Sequence, residues 1–282
     1  MDKELIDQFI AGALKEDVGD GDHTSLATIP EGTQGKARLL VKDTGILAGV
    51  ELAVEIFRTV DPKLKVTVFL KDGAEIKPKD IVLEVEGGVH CILKAERLVL
   101  NCMQRMSGIA TQTDHIVDLL KGTNTQVLDT RKTTPGIRYL EKWAVRIGGG
   151  VNHRFGLYDM ILIKDNHVDY SGGIRQAIEN THEYMTAHNK KLTIEIEVRN
   201  LDELEEVLRT GGVDRILLDN FNLSDLKQAV NIVEGRYITE ASGGITVDNV
   251  RDYANCGVDY ISIGALTHSV KCLDLSLKAV RA

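Results

Sequence analysis

Residues Leu192 to Leu218 carry the strongest indication of how this chain folds. This stretch reads LTIEIEV at 192–198, LDELEEVLR at 201–209 and RILL at 215–218. Apolar residues alternate in the first segment, recur with a helical period in the second and form a short run in the third. This order of strand, helix and strand predicts a βαβ unit whose two strands are parallel.

The same unit recurs through the second half of the chain. The apolar runs that predict strands are Gln126–Leu128, Met160–Ile163, Leu192–Val198, Arg215–Leu218, Tyr237–Thr239 and Tyr260–Ile263. The segments with helical periodicity are Ile137–Ile147, Ile174–His188, Leu201–Arg209, Ser224–Val233 and Val247–Asn255. Six such runs, with no Gly-x-Gly-x-x-Gly after an early strand, favour a complete or partial (β/α) barrel over an open doubly wound sheet.

The first half has a different pattern. Short runs at Ala37–Val41, Lys65–Leu70 and Ile81–Val85 are separated by turn residues, and Leu5–Leu14 and Val50–Val60 have helical periodicity. This pattern predicts an α+β unit with an antiparallel sheet. A long helix is expected from Glu96 to about Leu120, with Ser107-Gly108 as a weak point inside it. We therefore predict an N-terminal domain at 1–112 and a barrel at 113–268, with 269–282 as a candidate to pack back on the first domain.

Composition excludes several classes of protein. Lys and Arg number 34 against 42 Asp and Glu, and this net charge of −8 argues against a nucleic-acid binder. The longest stretch without a charged residue is Tyr260–Val270, which is shorter than the ~20 residues needed to cross a bilayer. Met1–Glu4 lacks the features of a signal peptide. The four scattered cysteines, which predict buried thiols rather than a zinc site, are Cys91, Cys102, Cys256 and Cys272. We expect a cytoplasmic protein without a membrane partner.

Charged residues and glycines follow nearly every predicted strand. They are Asp129–Lys132, Lys164–His167, Glu195 and Glu197, Asp219-Asn220, Glu240–Gly244 and Gly264–His268. Because the active sites of (β/α) barrels lie at the carboxyl ends of their strands, this rim is the predicted site. Charges gathered at one rim are costly unless they bind a ligand.

Positive charge is concentrated between Arg131 and Arg154, where six basic residues accompany a single acid, Glu141. Three of them, Arg138, Lys142 and Arg146, are interpreted as a solvated helix face. Arg131, Lys132, His153 and Arg154 lie in turns or beside glycines instead. Several cations on one rim indicate a small substrate with more than one carboxylate or phosphate, since Arg binds these groups bidentately.

Two further features indicate a phosphorylated ligand. Ser242-Gly243-Gly244 and Gly264 each follow a strand and are expected to open a helix, where bare backbone N–H groups bind phosphate, with His268 close by in sequence. Glu197 and Asp219 end adjacent strands, and such a carboxylate pair suits Mg²⁺ bridging a phosphorylated ligand. A structural ion pair with Lys164 or Arg131 is the alternative for these two acids.

Lys164 has two interpretations. At the end of a barrel strand it could act as a Schiff-base nucleophile if burial lowered its pKa. The neighbouring acids Asp165, Glu197 and Asp219 would keep it protonated. We favour an ammonium group that binds a carboxylate.

The chain resembles the quinolinate phosphoribosyltransferases along most of its length. The motifs that carry the resemblance are Asp129-Thr130-Arg131-Lys132-Thr133-Thr134-Pro135-Gly136, Gly148–Arg154 (GGGVNHR), Leu162–His167 (LIKDNH), Glu96-Arg97, Leu217–Asn220 and Gly264–His268. The resemblance implies a type II phosphoribosyltransferase that works as a homodimer or higher homo-oligomer. It also implies the fold, an incomplete (β/α) barrel with an N-terminal α+β open sandwich domain. The reaction joins quinolinate to 5-phosphoribosyl 1-diphosphate with Mg²⁺, giving nicotinate mononucleotide, diphosphate and CO₂ in NAD biosynthesis.

The resemblance also implies roles for individual residues. Quinolinate would be bound by Arg97, Arg131, His153, Arg154 and Lys164. Phosphoribosyl diphosphate would be bound by Lys132, Glu197, Asp219, Ser242, Gly243, Gly264 and His268, and the metal by Glu197 and Asp219. Lys132, Lys164, Glu197 and Asp219 would be catalytic, and Arg97 would serve a neighbouring subunit. Many relatives have a second serine where this chain has Ala241, so one phosphate contact is in doubt.

Three other functions fit part of the pattern. A related phosphoribosyltransferase could act on nicotinate or a molybdenum-pathway metabolite, although one carboxylate does not need the full set of cations. A Schiff-base aldolase would use Lys164 and would be trapped by borohydride. A sugar-phosphate sensor should carry a DNA-binding or partner module, and no helix-turn-helix or basic arm is visible.

Overall fold

The computed structural model describes residues 3–280, which form two compact units. Within these residues the first unit contains 3–114, 133–149 and 266–280, and the second contains 115–132 and 150–265. The domain limits expected from sequence, 1–112 and 113–268, stay a prediction, and residues 1, 2, 281 and 282 lie outside the described part.

Helices and strands alternate in the order expected of an α/β protein. Among the described residues the helices are α1 (Lys3–Val18), α2 (His23–Thr28), α3 (Val50–Val60), α4 (Val89–Leu119), α5 (Arg138–Ile147), α6 (Asp165–Ser171), α7 (Ile174–Ala187), α8 (Leu201–Thr210), α9 (Leu223–Val233), α10 (Val250–Ala254) and α11 (Ala265–His268). The strands are β1 (Gln34–Val41), β2 (Gly45–Ile46), β3 (Lys65–Val68), β4 (Glu75–Ile76), β5 (Ile81–Gly88), β6 (Gln126–Leu128), β7 (Ile161–Ile163), β8 (Ile194–Val198), β9 (Arg215–Asp219), β10 (Ile238–Ser242), β11 (Tyr260–Ser262) and β12 (Leu275–Ala279).

The first unit is built on an antiparallel sheet with the strand order β12-β1-β5-β3. Leu39 at its centre is fully buried and pairs with Leu277 on one side and Leu83 on the other. The last strand, β12, was not predicted as a strand. Its apolar residues alternate over only five positions, which is a weak pattern by itself, and its partner β1 lies more than 200 residues away in sequence.

Helix α4 passes through residues 107 and 108 without a break, so the predicted weak point does not interrupt it. The Ser107 hydroxyl is buried, where it donates to the Ala48 carbonyl oxygen at 3.2 Å and accepts from the Ala48 N–H at 2.9 Å. Gly108 lies against the backbone of Lys271 and Cys272. These two small residues therefore serve close packing of backbone against the helix.

One guanidinium joins three stretches of the first unit. Arg105 on α4 contacts the buried Glu141 carboxylate, with Nε 2.7 Å from Oε1, and its Nη2 donates to Thr134 Oγ1 and to the Thr267 carbonyl oxygen, each at 2.9 Å. The other oxygen of Glu141 accepts from the Thr134 N–H at 3.1 Å. Buried carboxylates are tolerated only when they are paired and hydrogen-bonded in this way.

The second unit is a six-stranded parallel sheet with the order β6-β11-β10-β9-β8-β7. Apart from β6, the strands follow each other around the sheet in chain order, and β11 returns to pair with β6. A single bridge joins Leu128 of β6 to Val151. Among the described residues no ladder joins β7 to β6 or to Val151, so the barrel is incomplete, as the family resemblance implied.

N-cap residues mark where the helices that follow β8 and β9 begin. Asn200 and Asn222 occupy the N-cap positions of α8 and α9, where their side chains accept from the N–H groups of Glu203 and Asp225. An N-cap of this kind satisfies a backbone donor that the first helical turn leaves without a partner. Helix α6 was not predicted, because its seven residues are too short to show a period. None of the described helices is long and apolar enough to cross a membrane.

Two predictions about side chains were wrong. Lys142, assigned to a solvated helix face, is 3% exposed, whereas Arg146 is exposed as expected. Among the four free cysteines only Cys102 is buried, Cys91 and Cys256 are half-buried and Cys272 is exposed. Burial raises the pKa of the Cys102 thiol to about 12. A cysteine is reactive when exposure and nearby cations lower the pKa of its thiol. The Cys102 thiol is buried and its pKa is raised, so it is not expected to react.

The close packing at Gly108 can be tested with Gly12 as a matched control, since both lie inside helices. A Cβ on Gly108 would overlap the Lys271 carbonyl oxygen, whereas a Cβ on Gly12 meets nothing within 4 Å. We expect Gly108→Ala to lower the free energy of unfolding by about 1–3 kcal/mol. Gly12→Ala should raise it by up to about 1 kcal/mol, since Ala favours helix. Equal effects in urea unfolding would contradict the packing.

Candidate active site

Most predicted site residues lie at the carboxyl ends of the parallel strands. Ten of them belong to the second unit, namely Arg131, Lys132, His153, Arg154, Lys164, Glu197, Asp219, Ser242, Gly243 and Gly264. The remaining two, Arg97 and His268, belong to the first unit. Parallel strands that start at one edge of a sheet also end at one edge, so the ten share one rim.

Asp129 anchors the chain where β6 ends. Its side chain is fully buried, and its two oxygens accept from the backbone N–H of His153 at 2.9 Å and from the Asn152 amide at 2.5 Å. The bridge between Leu128 and Val151 lies directly beside these contacts. Asp129 therefore holds the segment 151–154 against β6 and fixes the backbone position from which the His153 and Arg154 side chains extend.

His153 lies inside the barrel against two buried carboxylates. Its Nε2 is 2.9 Å from Glu195 Oε2 and 3.4 Å from Glu240 Oε2, and the three side chains are 7%, 0% and 1% exposed. Burial by itself would lower the pKa of His153, but Glu195 and Glu240 outweigh it and raise that pKa. Burial raises the pKa of Glu195, and Glu240 adds to this effect. Among the described residues, these three are the group of acids and histidines whose ligand atoms could surround a metal.

The other ring nitrogen of His153 is also occupied. The backbone N–H of Arg154 donates to Nδ1 at 2.7 Å. That bond requires a lone pair on Nδ1, so it opposes a second proton on the ring. The two carboxylates favour the proton on Nε2, on the opposite side.

Arg154 is 8% exposed and points its Nη1 at the Met160 carbonyl oxygen, 3.3 Å away. Burial and the nearby guanidinium of Arg131 lower the pKa of Arg154, while Glu195 and Asp159 act in the opposite direction. Asp159 closes the loop that follows, because its carboxylate accepts from the N–H groups of Phe155 and Gly156 at 2.6 and 2.8 Å. Because the two guanidinium groups repel each other, an anion bound close to both would be stabilised.

Lys164 follows β7 and donates to Glu197 Oε2 at 2.8 Å. The lysine side chain is 46% exposed and that of Glu197 8%. The ion pair with Lys164, which the sequence left as an alternative for Glu197, is therefore present. It leaves Glu197 Oε1 available to a ligand or a hydrated metal.

Asp219 ends β9 with a donor on each oxygen. The Ser242 hydroxyl donates to Oδ1 at 2.5 Å and the Asn220 amide to Oδ2 at 2.6 Å. The side chain of Asp219 is half-buried, and each oxygen keeps a second lone pair for a cation. Glu197 and Asp219 on neighbouring strands thus fit Mg²⁺ held mainly by ligand oxygens and water.

The two glycine turns differ. Gly264 opens the four-residue helix α11, as expected. Gly243 and Gly244 do not open a helix, since α10 begins only at Val250. Both instead have positive φ, 92° and 62°, and a Cβ on Gly243 would overlap the Asn220 amide. This left-handed turn exposes successive backbone N–H groups, which can form an anion-binding concavity without a helix.

Arg97 and His268 lie in the first unit. Arg97 is exposed on α4. His268 ends α11, and its Nδ1 lies 2.6 Å from Ser269 Oγ. Arg105 binds the carbonyl oxygen of the preceding residue, Thr267, and so helps to hold His268 in place.

Sequence reasoning missed the residues that support the rim. Asp129 and Glu240 were named only as charges at strand ends, and Asn152, Arg105 and the contacts of Glu141 were not recognised. One signal was available: Glu195 and Glu197 alternate with apolar residues in the strand LTIEIEV, so the two acids had to share one face of it. The contact of Glu195 with His153, 42 positions away, was not visible in any local pattern.

Two family models match nearly the whole chain. The model of the quinolinate phosphoribosyl transferase N-terminal domain matches residues 22–107, and that of the C-terminal domain matches residues 109–278. Together they divide the chain inside α4.

Named relatives agree with these models. The chain is 45% identical to quinolinate phosphoribosyltransferase [decarboxylating] 2, mitochondrial, of Nicotiana glauca, over 94% of this chain and 80% of that protein. It is 40% identical to the probable nicotinate-nucleotide pyrophosphorylase [carboxylating] of Bacillus subtilis, over 98% and 92% of the two chains. The crystal structure of NadC from Streptococcus pyogenes superposes with a TM-score of 0.93 at 38% identity, over 100% and 99% of the chains. The chain belongs to the quinolinate phosphoribosyltransferase family.

Proposed function

We propose that this protein transfers phosphoribosyl from 5-phosphoribosyl 1-diphosphate to quinolinate and decarboxylates the product to nicotinate mononucleotide. The proposal rests on the cations and the glycine turn gathered at this rim, in a chain that belongs to this family. Arg131, Arg154 and Lys164 follow three different segments of one barrel unit, and a positive-φ glycine turn ends a fourth. Cations on one side and a phosphate-type turn on the other suit a dicarboxylate and a phosphorylated sugar.

Quinolinate is bound by the cationic part of the rim. Arg131 and Arg154 are matched to its two carboxylates, and Lys164 supplies a further cation beside Glu197. The family resemblance adds Arg97 and His153. A substrate with one carboxylate would leave part of this positive charge without a partner.

Phosphoribosyl diphosphate is bound along the neighbouring strand ends. Gly243 and Gly264 offer backbone N–H groups to the 5-phosphate, with Ser242 and His268 as further ligands, and Lys132 faces the diphosphate. Glu197 and Asp219 face the ribose and would hold Mg²⁺. When bound, Mg²⁺ would neutralise charge on the diphosphate that leaves.

The residues then act mainly by electrostatics. As the bond from ribose C1 to diphosphate breaks, positive charge develops on the sugar, and the carboxylates of Glu197 and Asp219 stabilise it. The quinolinate ring nitrogen forms the new bond to C1. The resulting pyridinium accepts the electron pair left when the adjacent carboxylate departs as CO₂, and that ring carbon then takes a proton. Lys132 and Lys164 balance negative charge on the leaving group and substrate.

The reaction is tested by following both products. Quinolinate, phosphoribosyl diphosphate and Mg²⁺ should give CO₂ and diphosphate in equal amounts, with nicotinate a poor substrate, because one carboxylate cannot engage all the cations. Comparable turnover of nicotinate without CO₂ would favour the related phosphoribosyltransferase. Borohydride trapping at Lys164 would indicate an aldolase instead.

The metal assignment is tested by two isosteric variants. Glu197→Gln and Asp219→Asn should each reduce Mg²⁺-dependent activity on the order of 10- to 100-fold. Quinolinate binding, measured by calorimetry on the free protein, should stay close to that of the parent for Asp219→Asn, whose partners are Ser242 and Asn220. Two variants with the parent's response to Mg²⁺ would overturn the assignment.

We also propose a homo-oligomer with shared active sites, in which the exposed Arg97 of α4 serves a neighbouring subunit. Arg97→Ala and Arg131→Ala should each be inactive. After subunit exchange, a mixed dimer has one site with both arginines and one with neither, so random pairing should restore up to roughly a quarter of the parent's sites. Demonstrated exchange without recovery would place the action of Arg97 in its own subunit or nowhere.

A further inference from the structure

His153 is nearly surrounded by protein atoms. Only 7% of its side chain is exposed, Nδ1 receives the Arg154 N–H at 2.7 Å and Nε2 lies 2.9 Å from Glu195. A neutral imidazole has one N–H donor and one acceptor nitrogen. Both are used inside the protein, so neither ring nitrogen is directed at a ligand.

Arg154 is fixed through this ring. Its backbone N–H is bound by His153 Nδ1, the preceding N–H is bound by Asp129, and its side chain reaches the Met160 carbonyl oxygen. The Arg154 side chain therefore extends from a backbone position that is held by hydrogen bonds to the N–H groups of residues 153 and 154. Any rotation of the His153 ring would release the Arg154 N–H.

The two carboxylates beneath the ring have few other partners. Neither oxygen of Glu195 nor Oε2 of Glu240 accepts an aligned hydrogen bond from the described residues, although His153 Nε2 lies close to both groups. Buried acids without such bonds are costly, so they require cations nearby. Arg154 is such a cation, since Glu195 acts on its guanidinium, and the neutral His153 ring directs its Nε2–H toward both acids.

Other charged groups on the surrounding strands have their own partners. Lys164 after β7 pairs with Glu197, Asp219 at the end of β9 receives Ser242 and Asn220, and Arg215 at the start of β9 lies over the Tyr260 ring at 4.9 Å. Asp129 after β6 binds backbone and Asn152. The ring of His153 is thus the group that faces Glu195 and Glu240 most directly.

We propose that His153, Glu195 and Glu240 form a positioning triad for Arg154, and that His153 acts on the substrate only through that arginine. The part that concerns quinolinate rests on the proposed function. This assignment differs from the family expectation, in which His153 itself contacts quinolinate. It also gives the two buried acids a role that the reaction does not otherwise supply.

A double-mutant cycle separates the two roles of His153. Arg154→Lys keeps the charge but loses the guanidinium geometry, and should weaken quinolinate binding to the free protein by roughly 10- to 150-fold, the range for one charge-assisted hydrogen bond. If His153 acts through Arg154, His153→Ala should add less than about twofold in the Arg154→Lys background. Effects that multiply would make His153 an independent ligand and overturn the proposal.

The matched control is the same cycle with Lys164→Ala, whose ammonium pairs with Glu197 rather than with the triad. Here the effects of His153→Ala should multiply. Glu195→Gln keeps the shape of the carboxylate, so it should weaken quinolinate binding while the unfolding temperature shows that the fold is retained. Unchanged quinolinate affinity in a folded Glu195→Gln/Glu240→Gln protein would exclude the carboxylates from positioning.

Nitrogen NMR of the free protein tests the geometry without any substrate. The His153 ring should show Nδ1 as an unprotonated acceptor and Nε2 as the protonated nitrogen at neutral pH. A second proton on Nδ1 would break the Arg154 contact and overturn the triad, even if the protein turns over quinolinate. A shift of the His153 signals on addition of Zn²⁺ alone would show a metal site there and would also overturn it. Failure of the quinolinate assay with the expected spectrum would instead refute the proposed function alone.

Discussion

All strands of a parallel sheet end at the same edge, and this geometry determines where the charged side chains of the barrel unit lie. It brings residues from Asp129 to Gly264 to one rim although they are spread over more than half of the second unit's sequence. Because one rim collects so many ionisable groups, each must find a counter-charge or a ligand. The contacts of Lys164 with Glu197 and of His153 with Glu195 are the consequence.

The periodic parts of this arrangement could be predicted from the sequence, and the non-local parts could not. The alternation in LTIEIEV shows that Glu195 and Glu197 share one face of their strand, and the repeated strand–helix pattern places that strand in a barrel. Period alone does not show which distant residue meets Glu195. His153 arrives from an irregular segment that contributes only a single bridge, at Val151. The same limit applies to β12, which pairs with a strand at the other end of the chain.

Residue type also gave wrong predictions at positions where burial decides what the side chain does. Lys142 looks like a surface charge on an amphipathic helix, yet it is buried, as is the neighbouring Glu141. Ser107 and Gly108 look like helix breakers, but small residues inside a helix also let another backbone approach closely. Ser107 binds Ala48, and Gly108 lies against the backbone of Lys271. Helix propensity is a weak influence in a 31-residue helix that is buried on several sides.

The incomplete barrel explains why side chains rather than strand pairing hold the anion-binding part of the rim. No ladder continues from Val151 to β7 among the described residues, so the backbone between them lacks the regular hydrogen bonds of a sheet. Backbone groups in that position need other partners. Asp129 supplies one for His153, His153 supplies one for Arg154, and Asp159 supplies two for Phe155 and Gly156. The opening in the sheet thus places Arg154 where its orientation is set by acids and an imidazole, and the buried carboxylates Glu195 and Glu240 follow from that need.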